Sequence, residues 1–322
     1  MSKPFVYVTR QLPDDVLKPL REQAEVECWP YTDEPVPRET LLEKAAEAEG
    51  LLTMLTDQVD EELMERAPRL KVAANLAVGF DNIDTKEASK RGIIICNTPD
   101  VLTEATADLG FALLMASARR IPEAAEYIKN DEWHQWSPFL LAGSDVHGKT
   151  LGIIGMGRIG AAIAKRSKGF DMNILYHNRS RADEAERDLG AVYASKEELL
   201  RHADFVCIVA PLTDETKGMI DKKAFQYMKS SAFLINVSRG PVVNEEDLID
   251  ALERKEIAGA GLDVYEQEPI GANHPLLQFP QVTALPHIGS ATTATRKKMV
   301  SLAAENIALV LQGKEAATPV KQ

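Results

Sequence analysis

The sequence predicts an α/β protein with two doubly wound parallel sheets, and three observations support this class. Its 322 residues exceed the usual length of one domain and indicate two. Short apolar runs alternate with amphipathic stretches, as in parallel sheets covered by helices on both faces. In the second half, one apolar run ends in three glycines spaced G-x-G-x-x-G and continues as an alanine-rich stretch.

The first hundred residues contain several apolar runs of strand length. These predicted strands lie at residues 5–9, 26–29, 50–55, 70–76 and 92–97. The predicted helices between them lie at residues 14–23, 38–48 and 60–67. No glycine fingerprint occurs in this half, so it should do something other than bind a dinucleotide.

A helical stretch and an aromatic segment follow a predicted hinge at residues 98–100, where a proline restricts the residue before it. Residues 101–120 are rich in Ala and Leu, and their apolar positions cover more than one helical stripe. This pattern indicates burial on several sides and would suit a subunit interface. Trp133 and Trp136 lie in a non-periodic segment. They would either cap a pocket or a dimer contact, or pack within a loop.

The glycine segment 155–160 predicts a Rossmann dinucleotide-binding unit, because it follows a predicted strand at residues 151–154 and opens a helix. Gly155 allows a tight turn, Gly157 lets a pyrophosphate approach the backbone, and Gly160 lets helix and strand pack closely. The unpaired N–H groups at the start of the helix then face the phosphates.

Further predicted strands of this series lie at residues 172–176, 205–210, 232–237, 259–263 and 282–285. The tail, residues 291–311, predicts a helix that stops at Gly313 and could return to the first half of the chain. Two doubly wound domains would bind ligands at the carboxyl ends of their strands, in a cleft between the domains.

The turn after residues 172–176 selects the dinucleotide. An NAD site places Asp or Glu here to bind the ribose 2′-hydroxyl, but residues 177–181 contain no acid. Arg179, Ser180 and Arg181 suit a 2′-phosphate, and one charge-assisted hydrogen bond contributes about 1.5–3 kcal/mol. The sequence therefore favours NADPH, with NADH used more weakly. The alternative is a solvated basic turn.

The composition limits the partners and the compartment. A net charge of −12 argues against nucleic acid and anionic membranes as partners. The three cysteines are far apart, and the sequence shows neither a signal-peptide pattern nor a window that resembles a membrane span. We expect a cytoplasmic protein with reduced cysteines.

Arg239, Glu268 and His287 each follow a strand-like run of the second half, where ligand-facing groups belong. Spacing alone does not bring them together. Taken separately, they are compatible with a surface arginine, a loop carboxylate before a proline and a capping histidine.

Over essentially its whole length, the chain resembles the D-isomer-specific 2-hydroxyacid dehydrogenase family. The motifs that carry this resemblance are Gly155-Met-Gly-Arg-Ile-Gly160, Asn236-Val-Ser-Arg-Gly240, Gly261-Leu-Asp-Val264 and Pro286-His-Ile-Gly289. Within the family, the chain is most similar to glyoxylate/hydroxypyruvate reductases and to bacterial 2-ketogluconate reductases, which are gluconate 2-dehydrogenases. The segments that carry this closer resemblance are residues 77–82, 97–108 and 178–179.

The resemblance implies a reduction of small 2-oxo acids to D-2-hydroxy acids that needs no metal. Arg239 would bind the substrate carboxylate and polarise the keto oxygen, a bidentate task that suits a planar guanidinium. His287 would donate the proton, and Glu268 would hold the imidazole and favour its protonated form. The N–H groups of Val78 and Gly79 would also bind the substrate carboxylate.

The same resemblance implies domain boundaries, cofactor contacts and an oligomeric state. Residues 1–100 with 289–322 would form a flavodoxin-like substrate domain, and residues 101–288 a nucleotide-binding domain through which two subunits form a homodimer. Asp263 would hold the nicotinamide carboxamide. The further implied cofactor contacts are Thr106, Gly155, Gly157, Arg158, Ile159, Gly160, Asn178, Pro211, Thr216, Val237, Ser238 and Gly289.

Two kinds of alternative share this fold. Dehydrogenases of D-2-hydroxy acids, formate or phosphite that use NAD are the nearer rivals, and the basic window at residues 177–181 argues against them. Dinucleotide-sensing corepressors are binding proteins that keep the same Arg239, Glu268 and His287. The absence of long extra tails argues against this class, and turnover of a 2-oxo acid would separate the two.

Overall fold

A computed structural model describes residues 3–321, and the chain divides into two compact units. The first unit runs to Leu102 and resumes at Ala291, and the second comprises Thr103–Ser290. Each unit contains one parallel sheet with helices. The predicted α/β class with two parallel sheets is therefore confirmed.

The first unit is built on a five-stranded sheet. Its strands are β1 (Phe5–Val8), β2 (Glu25–Cys28), β3 (Gly50–Thr53), β4 (Val72–Asn75) and β5 (Ile94–Cys96). The connecting helices are α1 (Asp14–Gln23), α2 (Arg38–Glu47), α3 (Glu61–Arg66) and α4 (Thr85–Lys90). The strands pair in parallel in the order β2-β1-β3-β4-β5, which is the flavodoxin-like order. Every residue of β3 and β4 is buried, as expected for a sheet covered on both faces.

The second unit is built on a seven-stranded sheet. It begins with helices α5 (Thr103–Ala118) and α6 (Ile121–Lys129). The strands are β6 (Thr150–Ile154), β7 (Asn173–His177), β8 (Val192–Tyr193), β9 (Phe205–Ile208), β10 (Phe233–Asn236), β11 (Gly259–Leu262) and β12 (Val282–Ala284). The connecting helices are α7 (Arg158–Ser167), α8 (Asp183–Leu189), α9 (Lys196–His202), α10 (Lys222–Tyr227) and α11 (Glu245–Glu253).

The strand order of the second sheet, β12-β11-β10-β9-β6-β7-β8, is that of a Rossmann fold with one further strand. All neighbouring strands pair in parallel. From β6 the chain adds strands first on one side of the sheet, as β7 and β8, and then on the other side, starting with β9. Ligands of such sheets bind outside the carboxyl ends of the strands at this switch point, between β6 and β9. The glycine segment follows β6 directly.

The tail forms the long helix α12 (Thr293–Leu311), which begins with a Thr292 hydroxyl that accepts from the Thr295 N–H. It packs against α1, β3 and β4 of the first unit. Gly313 adopts the left-handed conformation with φ +73°, which ends the helix as predicted. The expected return of the tail to the first half of the chain is therefore observed.

The helix predicted at residues 101–120 is observed as α5, and a second helix that the sequence did not predict follows it. Arg120 is left-handed (φ 52°), and α6 then starts with Pro122 in its first turn. Helix α5 packs against α7, β10 and β11, so the burial that its apolar pattern predicted is supplied by its own unit. By contrast, α6 buries none of its residues, and Ile121 and Ile128 are 52% and 62% exposed.

Three general features concern the whole described chain. None of the helices within residues 3–321 combines the length and the apolar character that a bilayer crossing requires. Over the same range, no group of three or more His, Cys, Asp or Glu side chains is arranged to hold a metal ion. Cys28, Cys96 and Cys207 are free thiols.

Candidate active site

The glycine loop after β6 is open to a ligand at one position and closed at two. A Cβ atom on Gly155 would lie 2.5 Å from the Ala210 nitrogen, and Gly155 has φ +103°. A Cβ on Gly160 would lie 2.3 Å from the Gly155 oxygen, so this glycine keeps α7 close to the loop. A Cβ on Gly157 would meet nothing within 4 Å. The backbone at Gly157 is therefore accessible at the start of α7, which fits a pyrophosphate.

Asn178 connects this loop to the end of β7. Its Oδ1 accepts from the Met156 N–H at 2.9 Å, and its Nδ2 donates to the Met156 carbonyl at 3.4 Å. The N-terminal residues Arg158 and Ile159 of α7 lie beside this contact in sequence and are exposed and partly exposed, respectively. The three polar residues that follow Asn178 are all exposed at the surface: Arg179, Ser180 and Arg181.

The two arginines of this turn have different surroundings. Arg181 donates from Nε and Nη2 to the carboxylate of Glu186 at 3.0 and 2.8 Å. Its guanidinium carbon also lies 5.4 Å from the centre of the Tyr193 ring. Arg179 makes no ion pair with another residue of the described chain. The window lacks an acid in sequence, but α8 brings one to Arg181.

His287 and Glu268 form a close pair. His287 Nδ1 lies 2.6 Å from Glu268 Oε2, and both side chains are about one-third exposed, at 30% and 32%. The Tyr265 N–H donates to Glu268 Oε1 at 3.0 Å. Burial raises the pKa of Glu268, but its hydrogen bond to His287, the Tyr265 N–H and the charge of Arg239 outweigh burial, so the pKa is lowered. Glu268 is therefore a carboxylate at neutral pH and accepts the Nδ1 proton, which leaves Nε2 to face a ligand.

Arg239 follows β10, and hydrogen bonds to backbone carbonyl groups hold both its main chain and its guanidinium. Asn236, which is buried, donates from Nδ2 to the Arg239 carbonyl at 3.0 Å. Arg239 Nη1 donates to the Ser238 carbonyl at 2.8 Å. A Cβ on the next residue, Gly240, would lie 1.8 Å from the Tyr265 oxygen, so only glycine allows the two segments to pass this closely. The turn that carries Glu268 is thereby packed against the segment that carries Arg239.

Asp263 anchors the segment that contains His287. It is 1% exposed, and its two carboxylate oxygens accept from the N–H groups of Ile288 and Gly289, both at 2.8 Å. Its backbone carbonyl accepts from the His287 N–H at 2.9 Å. Thr106 of α5 lies against Gly289, since a Cβ there would be 3.3 Å from Thr106 Cγ2. Asp263, Thr106, His287 and Gly289 are thus neighbours in the second unit.

The other expected cofactor residues lie at the ends of β9 and β10. The Thr216 hydroxyl donates to the Pro211 carbonyl at 2.6 Å and accepts from the Thr213 N–H at 2.8 Å, so it shapes the turn after β9. Val237 is 8% exposed and leads into Ser238, whose N–H and hydroxyl both donate to Asn236 Oδ1 at 3.1 Å. These residues define the edge of the sheet where β9 and β10 end.

In the first unit, three consecutive carbonyl groups around Val78 and Gly79 each accept a hydrogen bond. The carbonyls of Ala77, Val78 and Gly79 accept from the Thr98 N–H at 2.8 Å, Asn97 Nδ2 at 2.8 Å and Asn75 Nδ2 at 2.9 Å. In a trans peptide the N–H points opposite to the carbonyl. The Val78 and Gly79 N–H groups therefore point away from these donors, and neither donates to another described residue.

Sequence reasoning did not identify Asn75, Asn97, Asn236 and Glu186 as residues that organise these segments. Asn75 and Asn236 end strands β4 and β10, and a buried amide at a strand end is a signal for such a role. Glu186 gave no such signal, because an acid five residues after an arginine is common in exposed helices.

A Rossmann sheet with an open glycine loop at its switch point is the architecture of dinucleotide-dependent oxidoreductases. Residues 111–289 match the family described as D-isomer specific 2-hydroxyacid dehydrogenase, NAD binding domain. A glyoxylate reductase from Thermococcus kodakarensis is 48% identical over 324 residues, which cover 99% of this chain and 97% of that protein. A glyoxylate reductase from Thermococcus litoralis is 50% identical over 315 residues, with coverages of 97% and 95%. The chain belongs to the D-isomer-specific 2-hydroxyacid dehydrogenase family.

Solved structures agree with this assignment. A protein from Thermus thermophilus is 44% identical with a TM-score of 0.92, covering 98% of this chain and 100% of that one. The NADPH-dependent glyoxylate/hydroxypyruvate reductase of Sinorhizobium meliloti, solved with NADP and malonate, is 34% identical with a TM-score of 0.87 and coverages of 99% and 97%. The protein is therefore an oxidoreductase that binds a nicotinamide dinucleotide and acts on small hydroxy or oxo acids.

Proposed function

We propose that the protein is an NADPH-preferring reductase that converts small 2-oxo acids to D-2-hydroxy acids, with glyoxylate, hydroxypyruvate and 2-ketogluconate as substrates. The observation that carries this proposal is the 2.6 Å contact between His287 and a Glu268 carboxylate whose pKa is lowered in part by Arg239. This set combines a proton donor, its charged partner and a fixed cation.

A nicotinamide cofactor, when bound, would supply the hydride that reduces the keto carbon. His287 gives the balancing proton from Nε2 to the keto oxygen, while Glu268 stabilises the imidazolium through Nδ1. Arg239 binds the substrate carboxylate and stabilises the negative charge that develops on the keto oxygen. The N–H groups of Val78 and Gly79 bind the carboxylate as two fixed donors.

Several residues of the second unit would hold the dinucleotide. The backbone at Gly157, Arg158 and Ile159 binds the pyrophosphate at the start of α7. The turns at Pro211, Thr216, Val237 and Ser238 border the nucleotide along the ends of β9 and β10. Asp263, with Thr106 and Gly289, would hold the nicotinamide carboxamide and so select the face of the ring that transfers hydride.

The preference for NADPH rests on the turn after β7. Arg179 and Ser180 are exposed there, and no acid of residues 177–181 competes for the ribose. A 2′-phosphate placed at this turn would find a cation in Arg179 and a hydroxyl donor in Ser180. The NADP-bound relative from Sinorhizobium meliloti is described as NADPH-dependent, which supports the same preference here.

The test is the initial rate of NADPH and NADH oxidation with each of the three 2-oxo acids. We expect kcat/KM with NADPH to exceed that with NADH at least about tenfold, a difference of about 1.4 kcal/mol. A preference for NADH would overturn the cofactor part of the proposal. No turnover with any of the three would overturn the substrate part. The stereochemistry is tested on the product from hydroxypyruvate, since glycolate is achiral, and formation of L-glycerate would overturn it.

We also propose a homodimer formed through the second unit. Its exposed apolar side chains concentrate between residues 121 and 139. They are Ile121, Ile128, Trp133, Trp136 and Phe139, with exposures of 52 to 84%. The two tryptophans are 55% and 77% exposed, and a second subunit would cover the remaining aromatic surface. If Trp133 or Trp136 also restricts the substrate pocket, its replacement by alanine should change the relative kcat/KM of the three substrates.

A further inference from the structure

The turn after β7 contains two arginines, but their charges are not equally available. Arg181 forms a two-point contact with Glu186, with distances of 3.0 and 2.8 Å. Such bidentate pairs fix the guanidinium in one orientation. The Tyr193 ring lies against the same guanidinium at 5.4 Å. Arg179 is exposed two residues earlier and makes no ion pair with a described residue.

Glu186 is in turn held by a hydrogen bond from a buried tyrosine of β7. The Tyr176 hydroxyl donates to Glu186 Oε1 at 2.5 Å and accepts from the Ala182 N–H at 2.8 Å. Tyr176 is fully buried in β7, so its position is set by the core of the second unit. The hydrogen bonds from Arg181 and then Tyr176 lower the pKa of Glu186, which keeps it charged at neutral pH.

We propose that Glu186 is a specificity-determining residue that limits the preference for NADPH by neutralising Arg181. This inference rests on the proposed binding of a 2′-phosphate at the turn. A dianion at Arg179 and Ser180 meets, at Arg181, a pair whose net charge is close to zero. Arg179 then carries most of the discrimination, and NADH remains a usable cofactor.

The same contacts would allow a second role with the opposite consequence. Glu186 could hold Arg181 as a direct ligand of the 2′-phosphate, as a carboxylate orients a metal-binding histidine. Two observations favour neutralisation. Both Nε and Nη2 of Arg181 are used by Glu186, and the carboxylate brings to the turn a negative charge that repels a phosphate.

The test uses the intact protein and two small probes, adenosine 2′,5′-bisphosphate and adenosine 5′-monophosphate, titrated by calorimetry. Glu186→Gln keeps the size of the side chain and an acceptor for Tyr176 but removes the charge. We expect it to tighten bisphosphate binding about two- to fivefold, the range for a partly exposed charge pair, with monophosphate binding unchanged. Arg181→Gln should weaken bisphosphate binding to a similar degree, because Glu186 is then unpaired.

The double variant Arg181→Gln/Glu186→Gln decides between the roles. Neutralisation predicts bisphosphate affinity within about twofold of the unmodified protein, since the pair is removed together. A direct ligand role predicts a double variant as weak as Arg181→Gln, and this result would overturn the proposal. A Glu186→Gln variant that binds the bisphosphate with equal or lower affinity would also overturn it.

Two controls keep the inference separate from the proposed function. The variant Arg187→Gln/Asp188→Asn removes a neighbouring exposed pair, with a distance of 2.7 Å, from the same helix and should leave the ratio of the two affinities unchanged. Arg179→Gln tests the proposed NADPH preference itself. If this variant still distinguishes the two probes as the unmodified protein does, the 2′-phosphate does not bind at this turn and the proposed cofactor preference fails, whatever Glu186 does.

Discussion

At the scale of single residues, the pair of His287 and Glu268 provides the strongest test of the mechanism. Glu268→Gln keeps an acceptor for the Tyr265 N–H but removes the charge opposite the imidazole. We expect kcat for 2-oxo acid reduction to fall about 10- to 100-fold, less than the full effect of removing a general acid. The wild-type carboxyl group, whose pKa is lowered by its partners, should lose its charge and its effect only at acid pH, so the acid limb of the pH–rate profile that comes from Glu268 should be absent in this variant.

The matched control is Glu266→Gln, which removes an exposed carboxylate two residues earlier. It should leave both kcat and the pH profile unchanged. An acid limb that persists unchanged in Glu268→Gln, with the same loss in kcat, would mean that Glu268 supports the loop and that its charge does not act on the proton donor.

The glycines of the loop after β6 allow binding and folding to be separated. Gly157→Ala places its methyl group where no atom lies within 4 Å, so the protein should melt at nearly the same temperature. The methyl group occupies the space that a pyrophosphate needs, and we expect KM for NADPH and NADH to rise about tenfold or more in parallel.

Gly160→Ala should behave in the opposite way, because its methyl group would lie 2.3 Å from the Gly155 oxygen. We expect a destabilisation of about 1–3 kcal/mol, typical of overpacking, measured by thermal or denaturant unfolding. If Gly157→Ala instead lowered stability while cofactor affinity was kept, the loop would not be the pyrophosphate site.

At the scale of elements, the loop that carries Val78 and Gly79 depends on side chains from other strands. Asn97→Ala removes the 2.8 Å hydrogen bond to the Val78 carbonyl and releases the peptide that presents the Gly79 N–H. We expect KM for the 2-oxo acid to rise about 5- to 20-fold, less than the full loss of a hydrogen bond to a charged group, because the Gly79 N–H is loosened and not removed. KM for NADPH should stay the same.

Asn130→Ala, an exposed amide at the end of α6, serves as the control and should change neither constant. A rise in both KM values for Asn97→Ala, accompanied by a lower melting temperature, would indicate general loosening of the fold and would contradict a specific positioning role.

The elements themselves were predictable where periodicity was strong. The glycine loop, the strands β6, β9 and β10 and the tail helix all follow from apolar runs with clear boundaries. Strand β8 has two residues, which is too short to show a period, and the sequence did not predict it. The end of α5 was indicated by Arg120 and Pro122, but the sequence did not predict α6, a short helix that starts directly after the left-handed Arg120 and buries none of its residues.

The sequence predicted which residues belong to the candidate site better than it predicted which of their side chains contact one another. Arg239, Glu268 and His287 were selected by strand ends and by family motifs, but the close approach of the segments that carry Arg239 and Glu268 depends on Gly240. The turn after β7 was interpreted as two available arginines. The contact of Arg181 with Glu186 changes that interpretation. The sequence did not predict this contact, because two side chains five residues apart at the start of a helix produce no periodic pattern.

At the scale of the whole molecule, the exposed apolar segment between residues 121 and 139 predicts self-association. The double variant Trp136→Ser/Phe139→Ser removes side chains that are 77% and 84% exposed. Because burial of large aromatic side chains dominates interface energies, we expect the variant to sediment as a monomer at concentrations where the unmodified protein is a dimer.

Val192→Ser is the matched control, since Val192 is 57% exposed on β8, outside this segment. It should leave the sedimentation coefficient unchanged. A monomeric unmodified protein at micromolar concentration would contradict the dimer, and a Val192→Ser variant that dissociates would place the interface elsewhere.

The order of the chain has a consequence for synthesis on the ribosome. The first sheet is translated early, yet α12, which packs on β3 and β4, leaves the ribosome only after Thr103–Ser290 has been made. At typical elongation rates this interval lasts roughly 10 to 40 s. During that time one face of the nascent sheet lacks its covering helix, while the inserted unit can already complete its own core. Vectorial synthesis therefore favours maturation of the nucleotide-binding half first and makes the tail the last step of assembly.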